Sequence, residues 1–186
     1  MQKPSQLNQD SLMKRILVIG SGGAGKSTFA KRLGEILELK VIHLDSLFWS
    51  AGWVEMPKDQ WRAMVEELMK GDSWILDGNY GGTLDLRLAA CDAVIFLDIP
   101  RMTCLKRVFK RRMSHRKESR PDMAPGCPER INWEFIKYIW DYPRTRKPAV
   151  LKKIESCSET KKVAILRSQA DIEGFLAKAS NWPLGY

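Results

Sequence analysis

Residues 20–27 read Gly-Ser-Gly-Gly-Ala-Gly-Lys-Ser, a GxxxxGK[ST] run, and this feature limits the folds open to the chain more than any other. Backbone N–H groups in such a loop must turn inward around phosphate oxygens. Glycine removes side chains that would block the approach and permits unusual φ values. Lys26 places an ammonium on the β/γ-phosphates, and Ser27 offers a hydroxyl to Mg²⁺. The context agrees, because Ile16-Leu17-Val18-Ile19 precedes the run as a buried strand. Phe29, Ala30, Leu33, Ile36 and Leu37 follow at helical spacing, so the loop opens onto a helix N-terminus. A glycine-rich strand–helix turn with a chance lysine is the bland alternative. Gly20, Gly22, Gly23, Ala24, Gly25, Lys26, Ser27 and Thr28 form the candidate nucleotide-binding set.

Short apolar runs then alternate with amphipathic stretches. Val41-Ile42-His43-Leu44, Trp74-Ile75-Leu76, Ala93 to Leu97 and Val163-Ala164-Ile165-Leu166 read as four further strands. Runs apolar at every position are buried on both faces, as in a parallel sheet covered by helices. Pro57 can begin a helix whose apolar face is Trp61, Met64, Val65 and Leu68, with Gly71 to end it. A helix starts near Pro100, and Trp133, Ile136 and Trp140 mark another that Pro143 should stop. Residues 114–131, with Pro121, Pro125, Gly126 and Pro128, read as a mobile loop. Ser168 and Asp171 fit a capping box opening the last helix. The expected fold is α/β: a P-loop nucleoside-triphosphate hydrolase fold with a five-stranded parallel sheet, helices on both faces and a helical lid. Residues 1–12 read as a polar, disordered extension, and 13–186 as one kinase-like domain with its lid at about 107–147.

Composition narrows the function classes. The 186 residues are 44% hydrophobic, enough for one core. No apolar run approaches the ~20 residues that span a bilayer, and Met1 to Leu12 lacks the apolar segment of a signal peptide. The expectation is a cytoplasmic protein without a membrane partner. Cys91, Cys104, Cys127 and Cys157 have no CxxC spacing, and His43 and His115 are too few for most metal sites, so free thiols are expected. Net charge is +9 and uneven: residues 101–120 hold nine basic groups against Glu118 alone. Such a field attracts phosphates, on a nucleotide or on nucleic acid.

Leu97-Asp98-Ile99-Pro100, then Arg107, then Arg111-Arg112, resembles the adenylate-kinase-type pattern of a strand ending LDxP, a helix, and arginines opening a lid. The resemblance implies that Arg107 lies against the nucleotide base, that Arg111 reaches the transferring phosphates, and that Asp77, in Asp77-Gly78, holds a water on Mg²⁺. The chain departs from true adenylate kinases at Asp77-Gly78-Asn79-Tyr80-Gly81 and lacks their usual AMP-binding segment. It carries instead His43-Leu44-Asp45-Ser46-Leu47-Phe48-Trp49, with Trp53, Trp61 and Gly126-Cys127-Pro128-Glu129. That version is similar to the adenylate-kinase-like proteins of the DNA topology modulation family, from about residue 13 to the end.

Several residues keep two readings. In the small-molecule kinases that this chain resembles, Asp45 contacts the acceptor hydroxyl, where it can orient it or take its proton; the bland reading is an N-cap. Trp49, expected in a loop, can stack on an acceptor or simply pack, and Trp61 reads as core. Asn79 is grouped with the acceptor residues. Arg87 can grip an acceptor phosphate, or pair with Asp85 or solvent. Asp98 reads as structural. By the resemblance one or both of Arg144 and Arg146 reach phosphate on lid closure, or else they form a solvated basic surface, and Arg167 and Ser168 follow the fifth strand, where the adenine-contacting loop is expected. The resulting expectation is a Mg²⁺–ATP phosphotransferase acting on a nucleotide, nucleoside or other small acceptor, with Lys26, Asp45 and Arg111 catalytic. The rival is an ATP-binding, DNA-associated protein that influences DNA topology. For that rival no DNA-reading motif is present, so nucleic-acid binding is expected to be weak.

Overall fold

The computed structural model describes residues 14–114, 122–128 and 131–180. The expected extension at 1–12 and much of the expected loop at 114–131 lie outside the described residues. Strands β1 (Arg15–Gly20), β2 (Val41–His43), β5 (Trp74–Asp77), β6 (Ala93–Leu97) and β7 (Lys162–Leu166) form one parallel sheet in the order β2-β5-β1-β6-β7. A hairpin of β3 (Trp49–Ser50) and β4 (Val54–Glu55) stands apart from it. The helices are α1 (Lys26–Leu37), α2 (Leu44–Phe48), α3 (Lys58–Leu68), α4 (Leu84–Ala90), α5 (Arg101–Ser114), α6 (Trp133–Thr145), α7 (Lys147–Glu155) and α8 (Gln169–Lys178).

Alternate residues of β1 supply two separate cores, because successive side chains leave opposite faces of a strand. Ile16 and Val18 pack with Phe29, Leu33, Val108, Ile139 and Leu176. Leu17 and Ile19 pack with Trp61, Val65, Leu88, Tyr142 and Ile154 on the other face. The central strands β1, β5 and β6 are buried almost throughout, whereas β2 and β7 at the edges are half-buried. Beside β1 the chain reverses direction across the sheet, running to the β2 edge first and to the β7 edge later. Ligands collect at the carboxyl ends of strands at such a reversal. Gly20, His43, Asp77 and Leu97 end their strands there.

Three local readings change. Trp49 sits in a strand of the β3–β4 hairpin rather than in a loop. Pro143 does not stop α6 but lies inside its last turn, where it removes a single backbone donor; Arg146 N–H still donates to Tyr142 O, and α7 follows at once. The described part of the expected loop, residues 122–128, is packed. Met123, Ala124 and Cys127 bury against Trp49 and Trp53, and Gly52 N–H donates to Gly126 O at 2.9 Å. The capping box at Ser168 forms with both of its hydrogen bonds.

Candidate active site

The phosphate loop leaves β1 and turns into α1 through Gly25, whose φ is +93°. No side chain caps α1 and its first turn holds no acid, so its N–H groups and positive end face the crevice. Lys26 Nζ donates to Ser21 O at 3.1 Å, lying back along its own loop. Ser27 and Thr28 follow in the first turn, Thr28 exposed. The bareness of the glycines also serves packing. A Cβ on Gly23, whose φ is +76°, would stand 2.5 Å from Cys104 O of α5, and one on Gly22 would stand 2.8 Å from the Phe135 ring of α6. Helices α5 and α6 therefore seat directly on the loop.

Arg107 joins this side. One nitrogen donates to Ala24 O and the other to Gln169 Oε1, both at 2.8 Å, tying α5 to the phosphate loop and to the start of α8. Arg111 lies one turn further along the same helix, on the same face. Arg146 stands 5.9 Å over the Tyr138 ring, close to the loop's partners, and Arg144 is exposed. Asp98 is structural, as read: it accepts from Lys147 Nζ at 2.7 Å and lies 3.8 Å from Arg167 Nε, fastening α7 to the end of β6.

The opposite wall starts from a register match. His43 and Asp77 are neighbours across β2 and β5, and His43 Nδ1 lies 2.9 Å from Asp77 Oδ2. That hydrogen bond raises the His43 pKa, with Asp77, Asp122 and Asp45 adding charge and burial opposing them. The other Asp77 oxygen, Oδ1, is buried without a hydrogen-bond partner. A carboxylate oxygen left so is suited to a cation or an ordered water, so the donor set fits the metal role. Among the described residues no three His, Cys, Asp or Glu side chains cluster to hold a metal unaided. A magnesium ion carried mainly by substrate phosphates needs only one or two protein oxygens, and Ser27 and Asp77 are the residues that would offer them.

Asp45 does not cap α2. It sits inside the first turn and accepts a hydrogen bond from the Tyr80 hydroxyl. Burial and the Asp45 carboxylate push the Tyr80 pKa upward, keeping the phenol protonated as a donor. The rings of Phe48, Trp61 and Tyr80 pack at 4.8 to 5.1 Å, and Trp49 meets Phe48 and Trp53 edge-on. Trp61 is core, as its spacing indicates. Trp53 Nε1 donates to Pro128 O at 3.2 Å, and Cys127 Sγ to Ser50 O at 3.1 Å, docking residues 122–128 on the hairpin.

Two of the expected acceptor residues do other work. Arg87 is fully buried, and its guanidinium donates to the carbonyls of Gly78, Asn79, Tyr80 and Thr83, so it does not face an acceptor phosphate. Asn79 accepts from Gly20 N–H at 2.9 Å and donates to the Tyr138 hydroxyl at 2.9 Å, which commits its amide to bracing the phosphate loop against α6. Conversely His43, Tyr80 and Tyr138 belong to the site and were not singled out by sequence reasoning. His43 had a usable signal, since it ends a strand two residues before Asp45. Tyr138 had none, because its partner lies 59 residues away.

No family model matches the chain, and no curated protein matches it. Among solved structures, a shikimate kinase from Acinetobacter baumannii in complex with shikimate is similar, with a TM-score of 0.62 and 17% identity over 94% of each chain. An unliganded sugar kinase from Janibacter sp. HTCC2649 matches with a TM-score of 0.51 and 16% identity, over 92% of this chain and 94% of that one. At such identities the likeness is one of architecture: the chain has the P-loop kinase fold.

Proposed function

We propose that this chain is a Mg²⁺–ATP-dependent phosphotransferase of the adenylate-kinase-like class, moving the terminal phosphoryl group of ATP to a hydroxyl on a small acceptor. The observation that carries this reading is the arrangement at one sheet edge. The phosphate loop with Lys26 follows the central strand β1, Asp77 ends the adjoining strand β5, and Asp45 lies two residues past β2, the next strand out. Donor phosphates and an acceptor hydroxyl would therefore meet across β1, β5 and β2.

Phosphoryl transfer demands little covalent chemistry from the protein, so catalysis is positioning and electrostatics. The loop N–H groups, the α1 N-terminus and Lys26 hold the phosphates. Ser27 and Asp77 would hold a Mg²⁺ ion, which when bound would supply positive charge to offset that on the phosphates. Asp45 takes the acceptor proton as the new O–P bond forms and the bond from the γ-phosphorus to ADP breaks. Arg107 and Arg111 on α5 close over the nucleotide and keep out water.

A panel of nucleosides, nucleotides, sugars and hydroxylated metabolites, scored for ATP-dependent phosphorylation, tests the reading. With the best acceptor, Asp45→Asn should lower turnover by roughly 10²–10⁴-fold while a fluorescent ATP analogue still binds. Wild-type turnover in that variant would remove the base and shift weight to a nucleoside monophosphate, whose phosphate is already ionised.

A further inference from the structure

Arg87 is a charged side chain with no solvent exposure, and its hydrogen-bond partners are four backbone carbonyls, none of them a carboxylate. Burying a guanidinium without an anion is costly. An apolar side chain on α4 would fill the same space in the core at less cost. What the guanidinium adds is its planar fork of five donors, which here gathers the consecutive carbonyls of Gly78, Asn79 and Tyr80 and the Thr83 carbonyl beyond them.

Those three residues form the turn that leaves the crevice edge after Asp77, and the side chains of Asn79 and Tyr80 reach both walls. Asn79 holds the first glycine of the phosphate loop, through Gly20 N–H, and holds α6 through Tyr138. Tyr80 holds Asp45. It does so with φ at +28°, a backbone region that non-glycine residues occupy only when their surroundings enforce it. The enforcing contact is at hand, since the Tyr80 carbonyl accepts from Arg87 Nη2 at 2.8 Å. One buried cation therefore fixes the turn that spans the donor and acceptor sides.

We propose that Arg87 is a positioning residue: through the 78–80 turn it sets the phosphate loop and the Asp45 carboxylate in one fixed relation. This rests on the phosphotransferase reading. It predicts that disturbing Arg87 slows transfer without weakening nucleotide binding, and that the loss runs through Tyr80.

The test uses ATP with water as acceptor, read as phosphate release, together with binding of a fluorescent ATP analogue. In Arg87→Met, kcat should fall roughly 10–100-fold, the cost of a misplaced reacting group. KM for ATP and analogue affinity should stay within about threefold, because ground-state binding is untouched. Tyr80→Phe should lose a similar factor, and the double variant should be no slower than the slower single one. Arg87→Lys keeps the charge but donates from a single nitrogen and cannot span the four carbonyls, so it should recover only part of the rate. It also carries the test if Arg87→Met does not fold.

Folded Arg87 variants with wild-type kcat, or losses that multiply with Tyr80→Phe, would overturn the proposal. Amide exchange at Gly20 separates this failure from that of the underlying reading. Faster exchange there in the folded Arg87 variants supports the positioning role, and unchanged exchange counts against it. Wild-type protein that neither binds the analogue nor releases phosphate in a Lys26-dependent way overturns the phosphotransferase reading itself.

Discussion

The two walls of the crevice are built on opposite plans. The donor wall is one unbroken stretch, residues 20–27, that closes on itself: Ala24 N–H donates to Ser21 O at 3.2 Å, and Lys26 Nζ reaches the same carbonyl. The wall that the proposed function gives to the acceptor is assembled from residues 43–55, 77–80 and 122–128. His43 meets Asp77 across 34 positions, Asp45 meets Tyr80 across 35, and Ser50 meets Cys127 across 77. A wall made from one segment carries its chemistry wherever the motif occurs. A wall made from three can change its ligand while the donor chemistry stays put, which is how one fold serves many acceptors.

Among the changes that leave the Asp45 carboxylate in place, the largest effect should come from the donor wall. Under the proposed function Lys26→Ala removes the charge that would meet the transferring phosphates, and it should cost about 10²–10³-fold in turnover. Its side chain packs in neither core, so thermal unfolding should be unchanged. A variant with full turnover would break the asymmetry between the walls. At the seam, Asp77→Asn replaces a carboxylate with an amide and should raise the Mg²⁺ concentration for half-activity about tenfold. An unchanged Mg²⁺ requirement would take Asp77 off the metal and leave it as the partner of His43 alone.

The smallest effect sharpens the acceptor wall. Gly126 has φ of +78°, and a Cβ there would stand 2.7 Å from the Cβ of Ala51. Gly126→Ala should cost about 1–2 kcal/mol in urea unfolding by strain and overpacking. It should also change the fluorescence of Trp49 and Trp53, which cover this contact. Unaltered stability and emission together would show that residues 122–128 do not dock on the hairpin in solution.

Some of this was legible in the sequence and some was not, for physical reasons. The central strands were legible because burial on both faces demands unbroken apolar runs, and Leu17-Val18-Ile19 or Val94-Ile95-Phe96 allow little else; the half-buried edge strands show through the shorter runs Val41-Ile42 and Val163-Ala164-Ile165-Leu166. The β3–β4 hairpin was not, because two-residue strands carry no periodicity. Helix α7 is masked by Pro143 and Pro148 on its N-terminal side, although Val150, Leu151 and Ile154 share the right spacing. Arg87 misled because an arginine near a phosphate site and an arginine buried against carbonyls look identical in one dimension.

The chain by itself therefore determined the elements whose energetics are local: the glycine loop ahead of a helix N-terminus, the Ser168–Asp171 capping box, the strand and helix periods, and with them the P-loop fold and the phosphate-binding edge. Tertiary structure alone decided the rest. The parallel register placed His43 beside Asp77. The turn after β5 brought Tyr80 to Asp45 and Asn79 to Gly20. The folding of α4 under that turn made Arg87 a brace rather than a ligand. These contacts join residues whose spacing in the chain follows no rule, so they exist only once the sheet has set which strand ends meet.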